Sequence, residues 1–123
     1  MKRITRQRKA IWEAIEESTR PLSPHELLAI ANRQLPQLGI ATVYRALNDL
    51  VVEGQLVPVQ IPGQPPRYEK ANLEHHHHFY CKTCGRVYDL DGCLLKPDYT
   101  SLPRSFTVEG HEITLYGTCD RCT

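Results

Sequence analysis

The cysteines are the residues whose spacing points most directly to chemistry. Four of the five form two Cys-x-x-Cys pairs, Cys81 with Cys84 and Cys119 with Cys122. A turn of this kind brings two thiolates to one side, and two such turns complete a tetrahedron of sulfur around zinc. Four sulfur ligands leave no open coordination position, so the pattern predicts structural zinc. A redox pair is the alternative, but such a pair usually occurs once, in a thioredoxin-like unit.

A run of four histidines, residues 75–78, precedes the first cysteine pair. On a strand, alternate side chains point to opposite faces, so His76 and His78 share one face and His75 and His77 the other. Two further metal sites are therefore possible, and a solvated strand is the alternative. The candidate partners are Glu69 and Asp89 for the first pair, and His111 or Cys93 for the second. Taken singly, His111 and Cys93 are better explained as a hydrogen-bonded surface histidine and a small buried thiol.

A catalytic centre is the rival interpretation of the same residues. Catalytic zinc needs an open coordination position and a nearby acid or base. The sequence has no HExxH, no HxE followed by PCxxC, no glycine-rich phosphate loop, and no serine or cysteine nucleophile motif. Glu69, Glu74 and Asp89 could serve as bases, but a chain of 123 residues leaves little room for a substrate pocket. We therefore expect no enzymatic activity and no small-molecule substrate.

The elements that position these residues must come from a short, globular chain. With 123 residues, 41% hydrophobic and 24% charged, the sequence allows one ordinary domain or two very small ones. A small core needs a second stabiliser such as a metal, a disulfide or a dimer interface. No stretch approaches the ~20 apolar residues of a membrane span, and the N-terminus lacks the apolar run of a secretory signal. We expect a cytoplasmic protein with no membrane partner, in which cysteines bind metal rather than pair.

Helical periodicity and capping residues predict three helices ahead of the histidine run. Ser23 and Glu26 form a capping box for the second helix, Pro36 prevents its continuation, and Gly54 ends the third. A hairpin with a turn at residues 62–66 follows. The expected bounds are residues 5–18, 23–35 and 41–51 for the helices, and 56–61 and 67–69 for the strands. This order predicts a winged helix-turn-helix, with a small helical bundle carrying a hairpin as the alternative.

A winged helix binds DNA through the N-terminal residues of its third helix, which lie in the major groove. The first nine residues also hold five basic side chains and no acid, although the net charge of the whole chain is only +1. A basic arm of this kind suits phosphate contact, and a solvated terminus is the alternative. The candidate DNA contacts are Thr42, Tyr44 and Arg45 in the helix, and Arg3, Arg6 and Arg8 in the arm.

The composition changes after a short linker at residues 71–74. All the cysteines and five of the six histidines lie in the following segment. We therefore expect a DNA-binding domain at residues 1–70 and a separate metal-binding domain at residues 75–123, which gives an α+β protein. The predicted strands of the second domain are residues 79–80, 87–88, 106–108 and 113–116.

Several motifs of one known family occur in order along the chain. They are Thr5-Arg6-Gln7-Arg8, the helix segment ATVYRAL at residues 41–47, the string HHHHFYCKTCG at residues 75–85, and Leu115-Tyr116-Gly117 ahead of the last cysteine pair. Together they resemble the ferric uptake regulator (Fur) family over essentially the whole chain. The resemblance implies a homodimeric bacterial repressor with a winged helix and a small α/β dimerisation domain. Such a protein binds a palindromic double-stranded DNA operator when its sensory metal is loaded.

The resemblance also implies roles for the candidate ligands. Carried over by position, the sensory site would use Glu69, His76, His78 and Asp89. His75, His77 and His111 fall where some members of the family bind a further metal, and Cys93 could join them.

Two departures from the family pattern bear on the choice of metal. Many iron and peroxide sensors have a histidine just ahead of the second helix, where this sequence has Arg20-Pro21-Leu22 and the nearest histidine is His25. His77 stands where aspartate is common, and Cys93 adds a soft ligand. Softer ligation favours zinc over iron or manganese, and the short N-terminus also resembles the zinc uptake regulator (Zur) branch.

We therefore expect a structural Zn²⁺ and a second, sensory Zn²⁺ in a regulator of metal-homeostasis genes. The alternatives within the family are an iron(II), manganese(II) or peroxide response. A more distant alternative is a zinc-stapled interaction module whose histidines are passive.

Overall fold

The structure is a computed structural model, and it describes residues 5–93 and 99–123. The helices are α1 (Arg6–Glu17), α2 (Pro24–Ala31) and α3 (Ile40–Val52), and the strands are β1 (Leu56–Val59), β2 (Arg67–Lys70), β3 (His76–Cys81), β4 (Val87–Asp91) and β5 (Thr114–Gly117). This arrangement confirms the α+β class and the winged helix. The second helix ends four residues before its predicted limit, and the first strand two residues before its own.

The three helices form one core because each has an apolar face and a defined start. Thr5 caps α1 by accepting a hydrogen bond from the Arg8 backbone, and Ser23 and Glu26 form the predicted capping box of α2. The apolar faces pack together with side chains from the hairpin. The fully buried members of this core are Ile11, Leu22, Leu27, Val43, Leu47, Leu50 and Leu56. This packing leaves the opposite face of α3 exposed.

Strand β2 lies between the helical core and the rest of the chain. It pairs antiparallel with β1, and on its other edge the backbone of Tyr68 exchanges hydrogen bonds of 2.8 and 3.0 Å with that of Leu22. Tyr68 packs into the helical core, whereas Arg67 and Glu69 lie on the opposite face of the strand by alternation. Both are buried, although both are charged. They face the sheet that strands β3 to β5 form.

The C-terminal sheet, strands β3 to β5, has the order β4-β3-β5. Its central strand β3 runs antiparallel to β4 and parallel to β5. Val59 and Ile61 from the hairpin pack against Val87 and Tyr80 of this sheet. Three residues of the histidine run, His76 to His78, therefore lie on the central strand of a sheet that directly contacts the wing. The wing is the hairpin of β1 and β2.

One predicted strand is wrong. Residues 106–108 form no strand, and the Phe106 and Val108 side chains are exposed. A strand needs neighbours for its backbone N–H and C=O groups. Among the described residues no segment pairs with residues 106–108, and the C-terminal sheet contains β4, β3 and β5 only.

None of the helices within residues 5–93 and 99–123 has the length and apolar character needed to cross a bilayer.

Candidate functional site

The structure brings the two cysteine pairs together into one cluster, the tetracysteine cluster of Cys81, Cys84, Cys119 and Cys122. Tetrahedral zinc with Zn–S bonds of about 2.3 Å separates its sulfur ligands by about 3.8 Å. The Cys84 and Cys119 Sγ atoms are 3.8 Å apart, and those of Cys119 and Cys122 are 3.6 Å apart. The cluster therefore has the dimensions of a closed four-sulfur site.

The backbone around the tetracysteine cluster favours the thiolate form of Cys81. The backbone N–H groups of Cys84 and Cys119 both donate to Cys81 Sγ over 3.4 Å. The bond from Cys84 is the largest influence, and these bonds outweigh burial and lower the pKa of Cys81 to about 6. Since zinc binds thiolate rather than thiol, the fold prepares this ligand before metal arrives.

A second group, the carboxylate–imidazole cluster, joins the wing to the C-terminal sheet. It consists of Glu69 from β2, His76 and His78 from β3, and Asp89 from β4. The four imidazole-to-carboxylate distances are 2.9 Å for His76–Glu69, 3.4 Å for His76–Asp89, 3.4 Å for His78–Glu69 and 3.3 Å for His78–Asp89. Ligands of tetrahedral zinc at about 2.0–2.1 Å are separated by about 3.3–3.4 Å. The donor set therefore fits a four-coordinate cation.

Unsatisfied polar atoms in the carboxylate–imidazole cluster also favour a cation there. Within the described part of the chain, five buried side-chain nitrogen or oxygen atoms have no well-aligned hydrogen-bond partner, and three of them, Glu69 Oε2, His78 Nε2 and Asp89 Oδ1, belong to this cluster. Buried polar atoms are rarely left this way. The Nδ1 of His76 lies 2.7 Å from the Glu74 carbonyl and must donate to it, so Nε2 is the nitrogen that faces the cluster. The residues converge on one point that a metal ion would satisfy.

Protons compete with metal for the carboxylate–imidazole cluster. Burial alone disfavours a charged His78, but close polar contact with Asp89 and Glu69, and their negative charges, raise the pKa of His78 to about 9. His78 is therefore protonated at neutral pH when no metal is bound, and metal must displace that proton.

We expect zinc affinity at this cluster to increase with pH up to about pH 9, by up to about tenfold per pH unit for this proton. The measurement is a zinc competition titration with a chelating dye, in a Cys93→Ser, His111→Ala background that disables the neighbouring cluster. An affinity that stays constant from neutral pH upward would contradict the expected proton release.

The opposite face of β3 carries a third group, the imidazole–thiol cluster of His75, His77, Cys93 and His111. The Nε2 of His111 lies 3.2 Å from that of His75 and 3.2 Å from that of His77, and Cys93 Sγ lies 3.3 Å from the Nε2 atoms of His77 and His111. His77 is almost fully buried. Three nitrogens and one sulfur at these spacings are donors that soft divalent metals prefer.

Tyr99 is a residue of this region that the sequence did not single out. Its hydroxyl lies 3.0 Å from Nδ1 of His111 and can hold the ring with Nε2 facing the cluster. Tyrosine is not a usual zinc ligand, and Tyr99 lies twelve positions before His111 in the sequence. Residue type and spacing therefore did not indicate that Tyr99 contacts this cluster.

The exposed face of α3 carries the predicted DNA contacts. Tyr44 and Arg45 are exposed, and Arg45 donates to the Thr42 hydroxyl over 3.1 Å. Arg6 is also exposed, and it lines the same surface depression as Thr42 and Gly39. The start of α1 therefore lies beside the start of α3, where phosphates flanking a major groove would run.

The structure corrects the expectation for Arg8. Its side chain is buried and its Nη2 donates to Glu53, the residue at the C-terminal end of α3. This hydrogen bond, reinforced by the Glu53 charge, raises the pKa of Arg8 despite its burial. A guanidinium committed to an internal ion pair is not free to contact DNA, so Arg8 joins α1 to α3 instead. Arg3 lies outside the described residues.

His25 does not supply the ligand that is missing ahead of α2. It is exposed, and it belongs to none of the ligand groups found among the described residues. Glu69 is the contribution of the winged helix to the carboxylate–imidazole cluster. The cluster therefore has four donors, two nitrogens and two oxygens.

The fold and these clusters define a class of protein, a winged-helix DNA-binding protein with metal-ligand clusters in and beside a second sheet. Comparison with known proteins supports this class. The family model described as "Ferric uptake regulator family" matches residues 1–116. The chain is 30% identical to the ferric uptake regulation protein of Campylobacter jejuni, over 98% of this chain and 79% of the relative. It is 31% identical to that of Bacillus subtilis, over 98% and 85%.

Solved structures give the same result. A zinc-bound manganese uptake regulator superposes with a TM-score of 0.78 at 25% identity, over 96% of this chain and 91% of that chain. The chain belongs to the ferric uptake regulator family. Proteins of this family are metal-responsive transcriptional regulators that bind DNA operators as dimers, and they are not enzymes.

Proposed function

We propose that this chain is a zinc-responsive repressor of metal-homeostasis genes that acts in the cytoplasm as a homodimer on a palindromic operator. Residues 1–70 bind DNA, residues 71–74 form a hinge, and residues 75–123 bind metal and dimerise. The tetracysteine cluster holds structural Zn²⁺, the carboxylate–imidazole cluster holds the sensory Zn²⁺, and the imidazole–thiol cluster is a further zinc site.

The convergence of Cys93 with three imidazoles carries the choice of zinc. Its sulfur lies 3.3 Å from two of the imidazole nitrogens, and thiolate is a ligand that favours zinc over iron(II) or manganese(II). The four-donor carboxylate–imidazole cluster supports the same choice, because four-coordinate tetrahedral geometry is typical of protein zinc sites. The similar proteins include a ferric uptake regulation protein and a zinc-bound manganese uptake regulator, so similarity alone does not decide the metal.

The position of Glu69 explains how metal binding would reach the DNA-binding surface. Glu69 belongs to the wing, whereas His76, His78 and Asp89 belong to the C-terminal sheet. A metal ion held by these ligands would link the wing to the sheet. With Glu69 held against the sheet, the winged helix would keep one direction, and in a dimer the distance between the two α3 helices would be set. This arrangement would bind metal and operator better than one in which Glu69 has left the sheet, as a population shift requires.

The test is an operator titration with protein that retains only its tetracysteine metal. Operators are selected from random duplexes in separate pools with zinc and with iron(II), and affinity is measured against buffered zinc, iron(II) and manganese(II). We expect zinc to activate binding at the lowest free concentration. Activation by iron(II) ahead of zinc would replace the zinc proposal with the iron-responsive alternative. DNA binding indifferent to any added metal would favour the interaction module with passive histidines.

Substitutions on the DNA-binding surface should separate base reading from phosphate contact. We expect Tyr44→Ala and Arg45→Ala to weaken binding to the selected operator by about 1–3 kcal/mol each, more than binding to random DNA. Arg6→Ala should weaken binding to all DNA sequences. It should also reduce the slope of log affinity against log salt concentration by about one.

The matched control for these substitutions is Arg33→Ala, because Arg33 is exposed in the turn after α2 and lines a different surface depression from Arg6 and Thr42. Affinity and its salt dependence are measured by fluorescence anisotropy. Full operator affinity in both helix variants would move recognition to another surface.

A further inference from the structure

Arg67 is a buried cation that neither the metal clusters nor the DNA-binding surface uses. It is 7% exposed and lies on β2, two residues before Glu69. Strand alternation therefore places Arg67 and Glu69 on the same face of the wing. A buried arginine is costly unless its donors are satisfied. The Arg67 Nε has no hydrogen-bond partner among the described residues, so the contacts of the two terminal nitrogens are the ones that offset its burial.

The contacts of Arg67 join the wing to the tetracysteine cluster. Its Nη1 donates to the Pro65 carbonyl over 3.0 Å, and its Nη2 donates to the Gly85 carbonyl over 2.8 Å. Gly85 directly follows Cys84, and its own N–H donates to the Cys81 carbonyl over 2.9 Å. The carbonyl that Arg67 reaches is therefore part of the turn held by the first cysteine pair.

A second contact keeps the guanidinium in place. Its central carbon lies 5.7 Å from the centre of the Tyr80 ring on β3, within the range of a cation–π interaction. Tyr80 in turn packs beside Val59, Ile61 and Val87, where the hairpin meets the sheet. These contacts need no metal in the carboxylate–imidazole cluster, so they favour the contact between one end of β2 and the sheet whether or not the sensory site is occupied.

We propose that Arg67 is a positioning residue that ties the wing to the tetracysteine turn and thereby presents Glu69 to the carboxylate–imidazole cluster. This inference rests on the proposed sensory role of that cluster. The Arg67 contacts favour the arrangement in which the Glu69 carboxylate lies near its co-ligands, which raises the effective concentration of that carboxylate at the cluster. Metal binding then completes an arrangement that Arg67 favours but does not fix.

The test is a double-mutant cycle on zinc affinity, measured by dye competition in the Cys93→Ser, His111→Ala background. Arg67→Met keeps the apolar stem and removes the donors, and Glu69→Ala removes the ligand that the wing supplies. We expect Arg67→Met to weaken zinc binding by about tenfold when Glu69 is present and by less than about twofold when Glu69 is absent. Lys70→Met is the matched control, because it removes the same charge from the opposite face of β2, three residues further along the strand, and it should leave zinc affinity unchanged.

The outcomes separate the two claims. Equal losses from Arg67→Met with and without Glu69 would indicate general loosening of the fold and would overturn the positioning role. No loss in either background would overturn it as well. If Glu69→Ala itself leaves zinc affinity unchanged, the proposed sensory site fails and the role of Arg67 fails with it. Retention of the tetracysteine metal in every variant, read as zinc content after dialysis, shows that the losses belong to the carboxylate–imidazole cluster.

Discussion

Cys81→Ser is expected to remove the structural metal and unfold the C-terminal sheet. Structural zinc sites contribute apparent binding free energies of about 10–16 kcal/mol in zinc-finger peptides, and that energy is folding energy. A whole domain is usually stable by only about 5–15 kcal/mol. Cys81 ends the central strand β3, and Cys119 lies two residues after β5, so the tetracysteine cluster joins adjacent strands of one small sheet.

The measurement combines zinc content, far-ultraviolet circular dichroism and sedimentation of the Cys81→Ser and Cys122→Ser proteins. Cys93→Ser is the matched control, because it replaces the one cysteine outside the tetracysteine cluster and should keep the structural metal and the dimer. If the Cys81 and Cys122 variants keep their secondary structure, dimerise and resist chelator like the parent, the four-sulfur assignment is wrong.

His78→Ala is expected to leave a folded, zinc-containing dimer that no longer responds to added metal. His78 belongs to the carboxylate–imidazole cluster and makes no contribution to the tetracysteine cluster. Coupling between two sites is typically 1–3 kcal/mol, so loss of the sensory site should reduce zinc-induced operator affinity by about 5- to 150-fold. His76→Ala and Glu69→Ala should have the same effect for the same reason.

The measurement is operator affinity with and without zinc, with thermal unfolding as the check on the fold. His25→Ala is the matched control, since His25 is an exposed histidine that joins none of the described ligand groups. A His78 variant with an undiminished zinc response would move sensing to another cluster. The imidazole–thiol cluster is then the candidate, and Cys93→Ser and His111→Ala would abolish the response instead.

The periodic parts of the molecule could be predicted because burial repeats with a fixed period along the chain. Ser23 and Glu26 indicated the start of α2, and the alternation of His75 to His78 predicted the two faces that the structure shows on β3. Side chains on a strand alternate between its two faces, so candidate ligand partners for each face could be proposed from the sequence alone. The ligand roles of those residues stay predictions.

The remaining features depend on contacts between residues distant in sequence. Arg8 looks like part of a basic arm until the C-terminal end of α3 brings Glu53 against it, 45 residues further along the chain. Arg67 reaches a carbonyl 18 residues away. Residues 106–108 have strand propensity, but no described segment of the chain pairs with them. No local pattern encodes these outcomes, because each depends on which group the completed fold places nearby.

The most direct test of metal-controlled DNA binding is the zinc affinity of the parent protein with and without saturating operator. Coupling between two binding sites is reciprocal, so the operator must change zinc affinity by the same factor by which zinc changes operator affinity. We predict that operator raises zinc affinity by a factor of about 5 to 150, equal to the factor measured in the opposite direction. A zinc affinity that is the same with and without operator would contradict the account.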